Sequence, residues 1–450
     1  MNTDSLHIVM QYAAARRRAA MPDRDALERW REPRILRHLD RVRAASPFYR
    51  ELWQGLDTRD WRRFPEIDKK AMMEHFDTLN TAGVRREDAM ELALEGERTR
   101  DFTPEIGGLT IGLSSGTSGS RGLFLVSRRE RLAWTGTILQ RVLPGPLLQG
   151  HRIAFFLRAD SNLYGSVRSR RVAFEFYDLL HPLERHVERL NAQRPSVLAA
   201  PPSMLRLLAG EVRSGRLRIA PGHLVSMAEV LDPLDRRMIE ESFGLRIHQV
   251  YQCTEGFLGA SCSHGTLHLN EDVVHIEKEY VDAERKTFVP IVTDFVRFSQ
   301  PIVRYRLGDL LTESAERCAC GSPFTAIERI EGRSDDLFVL PAANGTGFVT
   351  LFPDYVSRAI IGASERVEAY RAVLHAPGRL EIELDTAAAA GTEVRAQTEA
   401  DVQNALAALC ARIGAAMPET AFAPYVFVPG AVKLRRVQRR FAVNDRMEPV

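Results

Sequence analysis

Cysteine is scarce in this sequence, with 5 among 450 residues. So few thiols do not make a disulfide framework, and they point to a reducing cytoplasm. Long apolar runs are missing as well: no stretch approaches the roughly 18 residues that a membrane helix needs. The N-terminal MNTDSLHIVMQYAAARRRAA places its apolar residues before its arginines, the reverse of a secretory signal, and Asp4 argues against an organelle presequence. Charge of one sign is also missing. Lys+Arg 61 against Asp+Glu 59 leaves a net charge of +2, so no global field draws the chain to nucleic acid or to an anionic membrane. There is no Walker A loop, no G-x-G-x-x-G fingerprint, no internal repeat, and no local signature of a Ser or Cys nucleophile with a His base.

What remains is the composition of a globular protein, 45% apolar and 27% charged. At roughly 150 residues per domain the length predicts two to three domains. Residues 24–45 read as an amphipathic helix, because Ile35, Leu36, Leu39 and Val42 recur at helical spacing opposite arginines. HRIAFFL (151–157) reads as a buried strand, 183–193 as a helix, and SVLAAPP (196–202) as a short strand ending in a proline turn. Asp232 caps a further helix, with Pro233 at its first position and Gly244 just past its end; a strand over 246–252 follows. This alternation predicts an α/β fold with mostly parallel sheets. The last part of the chain changes character. A hairpin over 370–385 turns at Pro377-Gly378, a helix carries Val402, Ala405, Leu406, Leu409 and Ile413 on one stripe, and FAPYVFV (422–428) reads as a strand. These predict a small α+β domain over 335–450 after a large one over 1–334.

Five motifs carry chemistry. Ser114-Ser115-Gly116-Thr117-Ser118-Gly119-Ser120-Arg121-Gly122 is rich in glycine and hydroxyls, which suits either a flexible linker or a loop that cradles phosphate. Tyr251-Gln252-Cys253-Thr254-Glu255-Gly256 ends a strand, where α/β sheets present ligands to an aromatic, a hydroxyl and a carboxylate. Arg304-Tyr305-Arg306-Leu307-Gly308-Asp309-Leu310 and Ile330-Glu331-Gly332-Arg333-Ser334-Asp335-Asp336 are charged turns in which an Asp can grip vicinal hydroxyls. Val432-Lys433-Leu434-Arg435-Arg436-Val437 is a basic segment near the C-terminus.

In this order and spacing the five resemble the motifs of the adenylate-forming superfamily of acyl- and aryl-CoA ligases, and most closely its phenylacetate-CoA ligase and deazaflavin-coenzyme synthetase branch, which includes homologues from secondary-metabolite clusters. The resemblance runs from about residue 35 to 440. It implies a large N-terminal adenylate-forming domain and a small, mobile C-terminal domain. Ser114, Ser115, Gly116, Thr117, Ser118 and Gly119 would hold the ATP phosphates. Tyr251 would lie beside the adenine, with Ser226 to Glu229, Ala228 among them, as another wall. Thr254 would bond the α-phosphate and Glu255 would ligate Mg²⁺. Asp309 would hold the ribose hydroxyls with help from Arg333, and Lys433 would serve adenylation. The chain departs from the family pattern at Ser120, where Arg121 is expected to supply the missing charge, at Cys253 and at Val432.

The implied activity is ATP-dependent activation of a small-molecule carboxylic acid, aromatic by resemblance, with CoA as acceptor. Phe155, Tyr164 and Phe257 are candidates for the acid pocket. The competing readings are nucleotidylation of a hydroxyl, transfer to an amine, a degenerate metabolite binder, and nucleic-acid binding through the C-terminal basic run; intact Glu255, Asp309 and Lys433 and the balanced charge disfavour the last two. No membrane partner is expected. A homodimer is an expectation with only the N-terminal arginines as its basis.

One constellation lies outside these motifs. Cys318 and Cys320 form a C-x-C pair, and Cys262 and His268 lie upstream, with His264 as an alternative ligand. Three thiolates and an imidazole would close a tetrahedral, structural Zn²⁺ site, and the resembled branch often carries a similar cluster. Buried reduced cysteines with a loop histidine are the alternative. Cys410 is expected in a helix core.

Overall fold

The computed structural model describes residues 3–114, 121–386, 392–426, 434–444 and 447–449. The chain divides into two compact units. The first comprises Met1–Leu231, Met238–Leu307 and Leu311–Arg329, and the second Asp232–Arg237, Gly308–Leu310 and Ile330–Val450. Among the described residues no helix is long and apolar enough to cross a membrane.

The first unit is built on a 12-stranded sheet. Its parallel part runs in the order Ile247–Cys253, His223–Met227, Val197–Ala200, His151–Leu157, Val172–Asp178. The central strands His151–Leu157 and Val197–Ala200 are buried on both faces, as parallel strands covered by helices must be. Ala154 and Phe156 pack into one core with Leu190, Leu198, Leu205 and Leu208, while Ile153 and Phe155, one residue out of phase, join the opposite core with Leu139, Val172 and Val225. That is why the strands read as continuous apolar runs. Beyond Ile247–Cys253 the sheet continues through Gly256–Ser261 and Leu267–Leu269, both added antiparallel. Farther along, Thr287–Asp294 pairs antiparallel with both Val274–Asp282 and Ile302–Arg306.

The expected helices form at Arg24–Ala45 and Leu183–Gln193, the first capped by Asp23, whose side chain accepts from the Ala26 N–H at 2.7 Å. The helix Pro233–Phe243 stops before Gly244, which has φ +64. An N-terminal helix, Thr3–Ala19, crosses the helix Arg128–Val142 at Gly136, where a Cβ would fall 2.7 Å from the Ile8 carbonyl oxygen. Part of the N-terminal basic cluster offered as an interface is engaged within the chain. Arg18 and Arg141 pair with the buried Asp272 at 2.7 and 2.8 Å, and Arg24 pairs with the buried Glu271 at 2.6 Å.

The second unit holds a 4-stranded sheet in the order Glu419–Pro424, Arg379–Thr386, Val367–Ala376, Val437–Arg439. The central hairpin turns at Pro377-Gly378 as expected, with Ala376 opposite Arg379. The helices Pro353–Ala363 and Thr392–Ile413 complete the core; Val402, Leu406, Leu409 and Cys410 are all buried in it. The expected strand over 422–428 is corrected: it spans Glu419–Pro424, parallel to Arg379–Thr386. It is a half-buried edge strand, so its first residues show no apolar alternation, and Pro424, lacking an N–H, closes it. Residues 427 and 428 lie outside the described residues.

Candidate active site

The antiparallel turn from Ile247–Cys253 into Gly256–Ser261 pairs Cys253 with Gly256, which leaves Thr254 and Glu255 alone at its tip. Such a turn lifts two side chains off the sheet end while both strands hold the backbone. Glu255 is nevertheless buried, at 8% exposure. Its Oε2 accepts from the Thr254 hydroxyl at 2.8 Å and its Oε1 from the Tyr305 hydroxyl at 2.9 Å. Each carboxylate oxygen retains a further lone pair, so the group fits a divalent cation. Burial, then the adjacent Glu255 carboxylate, pushes the Tyr305 hydroxyl far above its usual range, so it stays a donor. The backbone is held as well: Arg297 donates to the Thr254 carbonyl and, at 2.6 Å, to Gln300. The buried Asp294 accepts from the Arg297 N–H at 3.0 Å, and burial raises its carboxyl to about 6.

Tyr251 is 7% exposed on the same strand. On the neighbouring strand's end Ala228 has φ +68, a region that costs a non-glycine residue roughly 1 kcal/mol or more. Glu229 follows and accepts from the Ser203 N–H at 3.3 Å. Of the hydroxyl-rich loop Ser114, Arg121 and Gly122 are described; Ser115, Gly116, Thr117, Ser118, Gly119 and Ser120 lie outside the described residues, as does Lys433. Ser114 Oγ accepts from the Gly122 N–H at 2.7 Å and from Lys69 Nζ at 3.3 Å. Arg121, expected to supply the loop's positive charge, grips Glu97 with both terminal nitrogens and donates from Nε to the Ser114 carbonyl at 3.3 Å. The ammonium beside the loop belongs to Lys69, 45 residues upstream, where no local pattern marks it.

In the second unit, Asp309 and Arg333 stand 3.5 Å apart. The Arg333 guanidinium packs over Gly308, where a Cβ would fall 2.6 Å from Nη2 and displace it. Asp335 is 3.6 Å from the same arginine, and Asp336 is bound by Arg435, the Nε at 3.0 Å.

The cysteine–histidine constellation comes together in the first unit. The ligand atoms of Cys262, His268, Cys318 and Cys320 all lie within 4.8 Å of one another. Cys262 Sγ is 3.7 Å from Cys318 Sγ, and Cys320 Sγ is 3.4 Å from His268 Nε2. A tetrahedral zinc with bonds of about 2.3 Å to sulfur and 2.0–2.1 Å to nitrogen has edges of roughly 3.8 and 3.5 Å. His268 Nδ1 lies 3.0 Å from the Phe324 carbonyl oxygen, which fixes Nδ1 as the protonated nitrogen and leaves Nε2 as the ligand. Burial raises both thiols of the pair. At Cys318 hydrogen bonds, the Thr266 hydroxyl's first, overcome it and bring the thiol down to about 6, whereas Cys320, facing two other sulfurs, is pushed up to about 12. His264 is absent from the described cluster.

Of the pocket candidates, Phe155 and Tyr164 line a cavity in the first unit. Phe257 lies in the same core cluster but not in that lining.

No protein-family model matches the chain. It is 24% identical over 394 residues to the phenylacetate-coenzyme A ligase of Thermus thermophilus, covering 80% of either chain. Identity to the enzyme of the same name from Pseudomonas putida is also 24%, over 216 residues and 46% of that protein. Its fold is similar to that of a 2-hydroxyisobutyryl-CoA ligase solved with its acyl adenylate, with TM-score 0.70 and 18% identity over 96% of this chain and 92% of that one. An acyl acid amido synthetase follows at TM-score 0.55 and 14% identity, covering 87% and 85%. The chain is thus a homologue of phenylacetate-coenzyme A ligases with the fold of the adenylate-forming CoA ligases.

Proposed function

We propose that the protein activates an aromatic carboxylic acid as its acyl adenylate and passes the acyl group to CoA. A carboxylate oxygen attacks the α-phosphorus of ATP, pyrophosphate leaves, and the CoA thiol then displaces AMP. The observation that carries the reading is the buried Glu255, held from both sides by Thr254 and Tyr305 at a sheet end beside Tyr251 and Ala228. Glu255 would hold Mg²⁺, which when bound offsets the negative charge that builds on the phosphates. The Thr254 hydroxyl would bond the α-phosphate, Ser114 to Gly119 with Lys69 the remaining phosphates, and Asp309, oriented by Arg333, the ribose. Residues 335–450 would form a mobile domain that brings Lys433 to the reaction. Cys262, His268, Cys318 and Cys320 would bind a structural Zn²⁺.

The test is acid-dependent release of pyrophosphate from ATP, run with Lys433→Ala and Asp309→Ala alongside. One acid that gives turnover lost in both variants, and a thioester once CoA is added, supports the reading. ATP binding without turnover on any acid would overturn it in favour of nucleotidylating a hydroxyl.

Tyr305→Phe removes a single hydroxyl from the carboxylate. Outer partners of metal ligands are typically worth about 10-fold or more in metal affinity. The Mg²⁺ concentration for half-maximal pyrophosphate release should therefore rise roughly 10-fold at unchanged thermal stability; an unaltered Mg²⁺ dependence would remove Tyr305 from the site.

A further inference from the structure

The cavity lined by Phe155 and Tyr164 has a volume of about 100 Å³. Its axis can be read from strand register. Ile153 pairs with Val197, Phe155 with Ala199, and Ala199 with Val225, while Met227 pairs with Val250. All of these line the cavity. It therefore runs up the sheet from the Ile153–Val197 level to the carboxyl ends of the strands, where Ala228 and Gln252 border it. Gln252 stands two residues before Thr254, on the strand that leads into the turn carrying Glu255. The covering helix, Arg128–Val142, runs from Trp134 near this mouth to Val142 near the floor.

The lining chemistry is one-sided. Trp134, Tyr164, Phe155 and Phe174 form a chain of ring contacts with centroids 5.9, 4.8 and 5.4 Å apart. None of the described lining residues carries a charge. The polar point at the mouth is Gln252, whose Oε1 accepts from the Trp134 indole N–H at 3.2 Å, which leaves its NH₂ as a donor. The size is equally restrictive, since an apolar cavity of roughly 150 Å³ takes one benzene ring.

Resting on the acid-activating reading above, we propose that this cavity selects the substrate: a monocarboxylic acid whose body is apolar, uncharged and no larger than a single ring, with Gln252 at the carboxylate end and Val142 setting the depth. A second charge would be buried without a partner, and a long alkyl chain would have no room.

The experiment measures binding and turnover separately. Thermal shift and acid-dependent pyrophosphate release are recorded with benzoate, hexanoate, benzene-1,4-dicarboxylate, 4-aminobutyrate and hexadecanoate. Benzoate or hexanoate should bind and turn over at least 100-fold better than the dicarboxylate, the amino acid or the long-chain acid. Val142→Phe should shift preference from benzoate to propionate, and Val142→Ala should shift it towards 4-methylbenzoate. A variant that merely perturbs packing would weaken all acids alike. A preference for a charged or long-chain acid, no shift with benzoate or hexanoate, or a uniform loss in both variants would overturn the assignment. Selective binding without pyrophosphate release upholds the cavity's specificity and overturns acid activation instead.

Discussion

Glu255→Gln should lower acid-dependent pyrophosphate release by roughly 100- to 1,000-fold, the usual cost of removing one preorganised electrostatic contact from an active site. The substitution keeps the shape. The amide oxygen can still accept from one hydroxyl, and the hydroxyl of Thr254 or Tyr305 can rotate to accept from the new NH₂. The hairpin that presents residue 255 is fixed by its strand pairing and by Arg297 on the Thr254 carbonyl, neither of which involves the carboxylate. The variant should thus fold, melt near the parent and still bind ATP as seen by thermal shift, while losing the metal-binding negative charge. A rate within threefold of the parent would show that the buried carboxylate serves packing alone.

Removing the metal from the cysteine–histidine cluster should have the largest effect on stability. The purified protein should hold close to one zinc per chain by elemental analysis. A strong chelator should lower its melting temperature by roughly 10 °C, since losing a few kcal/mol in a domain of this size shifts melting by several degrees per kcal/mol or less. Cys318→Ser should do the same without chelator. The cluster ties the segment at Cys262–His268 to the segment at Cys318–Cys320. The Thr325 N–H beside the second segment bonds Glu271 at 2.6 Å, and Glu271 is in turn paired with Arg24. Loss of metal should therefore loosen the N-terminal helix Arg24–Ala45 as well, visible as faster amide exchange there. A protein that binds no zinc and melts unchanged in chelator contains only reduced thiols.

Much of this molecule could be read from local pattern. The apolar spacing of Ile35, Leu36, Leu39 and Val42 marks Arg24–Ala45 because a helix repeats over a few residues. HRIAFFL marks a strand covered on both faces. The Pro377-Gly378 turn marks a hairpin whose register follows from the turn. Thr254 and Glu255 stood out because a polar pair closes a strand in consecutive residues that resemble a family motif.

Partnerships between distant residues were not written locally. Tyr305 reaches Glu255 across 50 residues, and Lys69 meets Ser114 across 45. Arg121 meets Glu97 across 24 residues. The edge strand Glu419–Pro424 owes its register to Arg379–Thr386 rather than to its own alternation. The cysteines and His268 could be named as a set from the sequence, but the Phe324 carbonyl that selects the imidazole nitrogen could not. By itself, then, the sequence determined which residues are candidates for chemistry and which segments form helix or strand, because propensity, capping and periodicity act within a turn or two of chain. Only the tertiary structure decided which donor faces which carboxylate and how large the cavity is, because those depend on strand order and packing that bring together residues far apart in the chain, as Arg18 and Asp272 at 2.7 Å.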